Sequence, residues 1–138
     1  MILMATFWHH RCDTCGYQFD TSGPHEFYRD KSGRLADFGH PLPSSREAAE
    51  AGVAGFYGRM WCLQHDVNVE VVIREFCEPV DRFAGIWMPD THPEKQVIIA
   101  CPSCGDDEPV MGDRPLGPKI RCPKCVGGTI ECEVSMMS

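Results

Sequence analysis

Four short pairs of soft ligands govern what this chain can fold into: Cys12-Asp13-Thr14-Cys15, Cys62-Leu63-Gln64-His65, Cys101-Pro102-Ser103-Cys104 and Cys122-Pro123-Lys124-Cys125. Two residues between ligands let a tight turn deliver both donor atoms to one ion, at about 2.3 Å for sulfur. Four pairs make eight ligands, enough for two tetrahedral ions. Disulfides are the other use for nine cysteines in 138 residues. The N-terminus, Met1-Ile2-Leu3-Met4-Ala5-Thr6-Phe7-Trp8, lacks the basic head and small-residue cleavage site of a secretory signal, which argues against them. The expectation is two Zn²⁺ ions, a reducing, cytoplasmic setting, and two free thiols left over, Cys77 and Cys132.

The pairs carry two resemblances. Cys101-Pro102-Ser103-Cys104-Gly105 and Cys122-Pro123-Lys124-Cys125 are separated by 17 residues and resemble the two knuckles of a zinc ribbon. Cys12-Asp13-Thr14-Cys15-Gly16-Tyr17-Gln18-Phe19-Asp20 resembles the first knuckle of rubredoxin over nine residues. In rubredoxin the second pair is also Cys-x-x-Cys, and the metal is iron. In this chain the next pair is Cys62/His65, after 46 residues. Neighbouring pairs are therefore expected to join: Cys12, Cys15, Cys62 and His65 as a Cys₃His site, and Cys101, Cys104, Cys122 and Cys125 as a Cys₄ site. That grouping implies two modules, 1–78 and 79–138. His9 and His10 are rival ligands, but His65 has the right spacing. His25, His40 and His92 have no partner at metal spacing and read as ordinary histidines.

Between the knuckles the pattern predicts an α+β fold with short antiparallel strands and one helix. Phe7–Arg11 reads as extended. Glu26–Arg29 and Arg34–Asp37 flank the turn Asp30-Lys31-Ser32-Gly33 and predict a hairpin. Ser44 with Glu47 resembles a capping box opening a helix over 45–57, with Ala49, Val53, Phe56 and Met60 as its stripe. Gly52, Gly55 and Gly58 weaken that helix, by about 1 kcal/mol each against Ala. The glycines could instead allow close backbone approach. Val67–Ile73 alternates and is β-branched, which predicts a strand; a helix capped by Asp66 is the rival. Phe83–Met88 is a further apolar patch, and Thr129–Val134 alternates as a strand. No apolar run is long enough to span a membrane as a helix.

No catalytic motif accompanies the metal pairs. Both sites have four protein ligands, whereas a catalytic zinc keeps a position open. The metals are therefore expected to hold a small fold together. Two zinc ions and seven thiolates would take the formal charge from −7 to −10, which opposes nucleic acid and anionic membranes. Residues 101–138 alone carry four Lys/Arg against six Asp/Glu, which is unlike a nucleic-acid footprint. The expected role is a non-catalytic subunit bound to larger proteins of a hetero-oligomeric complex. Some of Trp8, Phe19, Phe27, Tyr28, Phe38, Phe56, Tyr57, Trp61, Phe76, Phe83 and Trp87 could be interface anchors, although a core role suits each one better. The alternatives are a transcription-associated zinc ribbon and a rubredoxin-like electron carrier. In size, paired zinc sites and lack of catalytic motifs, the chain also resembles the small zinc-containing subunit of the acetophenone and acetone carboxylase group. That resemblance implies an ATP-dependent carboxylase (a ligase) whose chemistry belongs to its large subunits, and it implies no catalytic residue in this chain.

Overall fold

The computed structural model describes residues 5–81, 91–105, 108–112 and 120–137. They form a mostly β protein: β1 (Thr6–Cys12), β2 (Gln18–Arg29), β3 (Leu35–Asp37), α1 (Arg46–Ala51), β4 (Val53–Cys62), β5 (Val67–Val80), β6 (Glu94–Lys95) and β7 (Ile130–Met137). The strands make one antiparallel sheet in the order β6-β5-β4-β2-β1-β7, with β3 pairing to β2. The patch Phe83–Met88 lies outside the described residues. Among those described, no helix is long and apolar enough to cross a membrane.

The expected hairpin forms, with Phe27 opposite Asp37, Tyr28 opposite Ala36 and Arg29 opposite Leu35. Asp30 closes its turn by accepting hydrogen bonds from the Ser32 and Arg34 amides at 2.8 and 3.0 Å. The segment 67–73 is a strand and continues to Val80. Asp66 does not cap a helix; it takes the left-handed conformation, φ 59°. Strand β7 lies where the C-terminal alternation places it. The strands are longer than expected: β2, β4 and β5 have 12, 10 and 14 residues.

The expected helix over 45–57 is only partly present. Its N-cap is Ser45 rather than Ser44; the Ser45 hydroxyl accepts the Ala48 amide at 3.1 Å. The helix ends after Ala51, and Gly52 turns the chain at φ 78°. From Val53 the chain is a strand buried on both faces through Gly58. Continuous burial removes the alternation that marks a strand, so the apolar residues mimic a helical stripe. Gly55 shows why the glycines are there. A Cβ at this position would stand 2.1 Å from the Arg74 carbonyl oxygen and 2.8 Å from the Glu75 Cα. Only glycine lets β4 approach β5 so closely.

The described residues divide into two compact units, one drawing on 24–57 and 72–99, the other on 5–23, 58–71 and 100–137. In the first, Tyr28, Phe38, Ala48, Val53, Phe56 and Phe76 form one apolar cluster, and Phe27, Ala54 and Tyr57 another. Phe56 and Phe76 meet edge to face at 5.9 Å. In the second, Phe19, Val110 and Ile130 pack with Cys12 and Cys122, beside Tyr17, Trp61 and Leu63. Seven aromatics considered as interface anchors, Phe19, Phe27, Tyr28, Phe38, Phe56, Tyr57 and Phe76, are therefore core residues.

The first unit also holds an ion pair between a buried carboxylate and a partly exposed guanidinium. Arg29 donates to Glu75 through Nε at 3.2 Å and Nη2 at 2.8 Å, and Lys95 Nζ stands 3.7 Å away. The hydrogen bonds from Arg29 hold the Glu75 carboxyl below its ordinary value of 4.5, against the opposing effect of burial. A carboxyl depressed in the folded state adds stability above its unfolded pKa and loses it as pH falls. Because Arg29 is partly exposed, screening trims the effect. Glu75→Gln should cost about 1 kcal/mol at pH 7. In urea titrations, the gap between wild type and variant should close as pH drops below 4.5.

Candidate metal centres

All eight predicted ligands are gathered into two clusters, but the pairs combine differently from the expectation. Cys12 and Cys15 join Cys122 and Cys125; Cys62 and His65 join Cys101 and Cys104. The sequential grouping is corrected to a nested one, in which the outermost pairs share a site and the innermost pairs share the other. Neither cluster is confined to 1–78 or to 79–138, and both lie in the second compact unit. Among the described residues the first unit contributes no ligand to either cluster.

Strand pairing causes the exchange. Strand β1 runs antiparallel to β7, with Arg11 opposite Glu131 and Cys12 opposite Ile130. Beyond the strand ends, the Asp13 amide donates to Thr129 O at 3.0 Å, and the Thr129 amide donates to the Asp13 carboxylate at 3.0 Å. The segment before β7 folds back on it through Ile130 N–H to Ile120 O at 2.8 Å and an Arg121–Thr129 bridge. The Cys122/Cys125 knuckle is thereby brought to the end of β1, against Cys12 and Cys15. The inner site is set by another bridge, in which Trp61 and Val110 exchange both backbone hydrogen bonds, at 2.8 and 2.9 Å. Trp61 precedes Cys62, and Val110 follows the Cys101/Cys104 knuckle. That bridge draws the two knuckles together.

The knuckles share a local design. The first cysteine of each pair is buried and the second ligand lies further out. The Thr14 and Cys15 amides point at Cys12 Sγ (3.4 and 3.5 Å), and the Lys124 amide at Cys122 Sγ (3.3 Å). Gly16 and Gly105 take positive φ four residues after the first cysteine, and Asp66 does the same in the Cys62/His65 knuckle. The backbone turns identically in the last two: Gly105 N–H bonds Cys101 O at 2.9 Å and Asp66 N–H bonds Cys62 O at 2.8 Å.

The geometry and chemistry fit zinc. The Cys12–Cys125, Cys15–Cys122 and Cys62–Cys104 sulfurs are each 3.6 Å apart, and all nine cysteines are free. Those separations exceed a disulfide and match the edge of a tetrahedron with arms of about 2.3 Å. His65 turns Nδ1 toward the sulfurs of Cys62 at 3.8 Å and Cys101 at 3.9 Å. One set is Cys₄ and the other Cys₃His, as the sequence led one to expect, although the partners are exchanged. The thiols also show what a cation would relieve. The Cys15 amide, with smaller help from Thr14 and the neighbouring thiols, lowers Cys12 to about 7 despite burial. Burial opposes ionisation of Cys101, yet the Cys104 and Ser103 amides and His65 bring it down to about 6. Burial and the three surrounding sulfurs push Cys125 up to about 12. Four sulfurs this close cannot all ionise unaided, and a divalent ion supplies the missing charge.

Neither rival histidine enters a cluster. His9 bonds Asp20 at 2.7 Å and Gln18 at 3.1 Å. His10 is buried, stacks on Phe19 at 4.6 Å and bonds Thr21 Oγ1 at 2.7 Å. Of the three histidines read as ordinary, His25 packs on Tyr57 and His92 on Phe76. The sequence reading missed Gly128. A Cβ there would lie 2.5 Å from both Cys12 Sγ and Cys125 Sγ. The Gly127-Gly128 step just after Cys125 was the available signal. It also missed a polar cluster beside the sites. Tyr17 donates its hydroxyl proton to Asp66 and accepts from Trp61 Nε1 at 2.8 Å, while Lys124 Nζ lies 3.3 Å from Asp66. Burial and the Asp66 carboxylate push the Tyr17 phenol up to about 12.

Cobalt substitution checks the nested pairing, because all-sulfur and mixed sulfur–imidazole sites differ in their visible bands. Cys12→Ser should leave the Cys₃His spectrum and Cys101→Ser the Cys₄ spectrum; sequential pairing would give the reverse. Gly128→Ala should retain one metal equivalent at saturation, with the Cys₃His spectrum, as read by elemental analysis and absorption. Comparison with protein-family models, with curated proteins and with solved structures found no match for this chain. What its donor chemistry shows is a small zinc-binding protein with two Cys/His sites.

Proposed function

We propose that this chain is a non-catalytic subunit, a zinc-held β protein that works by docking within a larger hetero-oligomeric assembly. The observation that carries the reading is the completeness of both ligand sets. Each supplies four protein donors, so a tetrahedral zinc has no position left for water or substrate. Docking is supported by apolar side chains left in solvent: Val134 and Met136 on the edge strand β7, and Ile98 at 85 % exposure. The acidic charge supports protein partners over polyanions. Within this reading, the resemblance to the small subunit of acetophenone and acetone carboxylases names an ATP-dependent carboxylase as the assembly. The ATP and ketone chemistry would then reside on the large subunits.

Native mass spectrometry of the protein purified from its source tests this. The expected result is two zinc ions per chain and stoichiometric larger subunits, with ATP-dependent carboxylation by the complex and none by the free chain. A zinc-loaded monomer that shifts a nucleic-acid probe with steep salt dependence would replace the reading with the zinc-ribbon alternative.

One observation favours a second reading. The rubredoxin-like knuckle Cys12/Cys15 completes an all-thiolate set with Cys122 and Cys125, bordered by Tyr17 and Phe19. The imidazole that separates this chain from an iron tetrathiolate belongs to the other site. Colour distinguishes the two readings: the zinc form is colourless, and a ferric tetrathiolate is red.

A further inference from the structure

Tyr17, Trp61, Asp66 and Lys124 each lie within two positions of a metal ligand. Tyr17 follows Cys15 by two, and Lys124 stands between Cys122 and Cys125; both belong to the Cys₄ site. Trp61 precedes Cys62 and Asp66 follows His65; both belong to the Cys₃His site. Every hydrogen bond and ion pair among the four joins one site to the other, while the Lys124–Tyr17 ring contact lies within the Cys₄ site. Trp61 Nε1 donates to Tyr17 at 2.8 Å, Tyr17 donates to Asp66, and Lys124 meets Asp66 at 3.3 Å and the Tyr17 ring at 5.8 Å. Phe19 reinforces the link, stacking on Trp61 at 5.1 Å and tilting against Tyr17 at 5.8 Å. All of these residues lie in the same compact unit as both clusters.

From this juxtaposition we infer that the two metal sites load cooperatively, with Tyr17 as the positioning residue that couples them. The inference rests on the two-metal reading. Without metal, each knuckle is a short loop with little to order it. Zinc in the Cys₄ site fixes the turn that carries Tyr17 and the loop that carries Lys124. The partners of Trp61 and Asp66 are then already in place, so closing the Cys₃His knuckle costs less ordering entropy. The converse holds by linkage, and the factor is the same in both directions. The Lys124–Asp66 contact is exposed and contributes little. The hydroxyl of Tyr17, satisfied on one side by Trp61 and on the other by a carboxylate, carries most of the coupling.

The test measures Zn²⁺ affinity of each site by competition with a chromophoric chelator, under reducing conditions. Disabling the Cys₄ site with Cys12→Ser should weaken zinc binding at the Cys₃His site about tenfold, and Cys101→Ser should weaken the Cys₄ site by the same factor. In a Tyr17→Phe background, the same pair of substitutions should change the surviving site's affinity less than about twofold. Asp66→Asn is the second variant, should Tyr17→Phe fail to fold. Asparagine tolerates positive φ while giving up the carboxylate, so coupling must fall there too. A general loss of stability would lower both affinities without removing their interdependence. Affinities that ignore the state of the other site, or coupling that survives both variants, would overturn the inference. Independent binding of two metals removes the coupling alone; fewer than two metals on the wild-type chain removes the two-metal reading with it.

Discussion

Three or four sulfur atoms held within 4.8 Å of one another repel as soon as more than one is ionised. The second compact unit is built around that constraint in two places. Backbone amides aimed at Cys12, Cys122 and Cys101 begin to stabilise negative charge, and burial together with neighbouring sulfurs stops the process short at Cys125. A divalent ion completes it. Binding energy at such a site is also folding energy, because the ligands come from segments far apart in the chain. The outer site joins residues separated by more than a hundred positions. Whatever closes it also fixes β1 against β7.

The two compact units depend on different physics. In one, aromatic residues pack as an apolar core, with Phe27, Phe38, Phe56 and Tyr57 almost fully buried and the Arg29–Glu75 pair beside them. Among the described residues the other buries fewer aromatic side chains, and ligand cysteines occupy positions that a larger core would fill with aliphatics. Small cores of that kind need a covalent or metal staple. Gly128 expresses the same economy of space: its missing side chain leaves room for two sulfurs.

The polar cluster of Tyr17, Trp61, Asp66 and Lys124 gives the paired sites a physical connection. Under the docking role proposed above, a chain that must present a fixed surface would benefit when partial metal loading is unstable. The shape is then either present or absent. The exposed apolar residues of β7 lie on the strand that pairs with β1, at whose end the outer ligand set is gathered.

Ligand identity was legible in the sequence because Cys-x-x-Cys and Cys-x-x-His are local: two intervening residues make a turn regardless of what surrounds them. The hairpin at 26–37, the strand at 67–73 and the strand at 129–134 were legible for the same reason, since alternation and turn chemistry act over a few residues. The helix over 45–57 was misread where β4 is buried on both faces, which erases the alternation that a half-exposed strand displays. Which pair joins which was not in the sequence. Spacing favoured neighbours, but pairing follows from β1 lying against β7 and from the Trp61–Val110 bridge, contacts between residues 49 to more than 110 positions apart. The sequence by itself determined the donor atoms and hence the metal chemistry. Only the tertiary structure decided their partners, because a tetrahedral ion accepts any two knuckles and the sheet selects which two arrive.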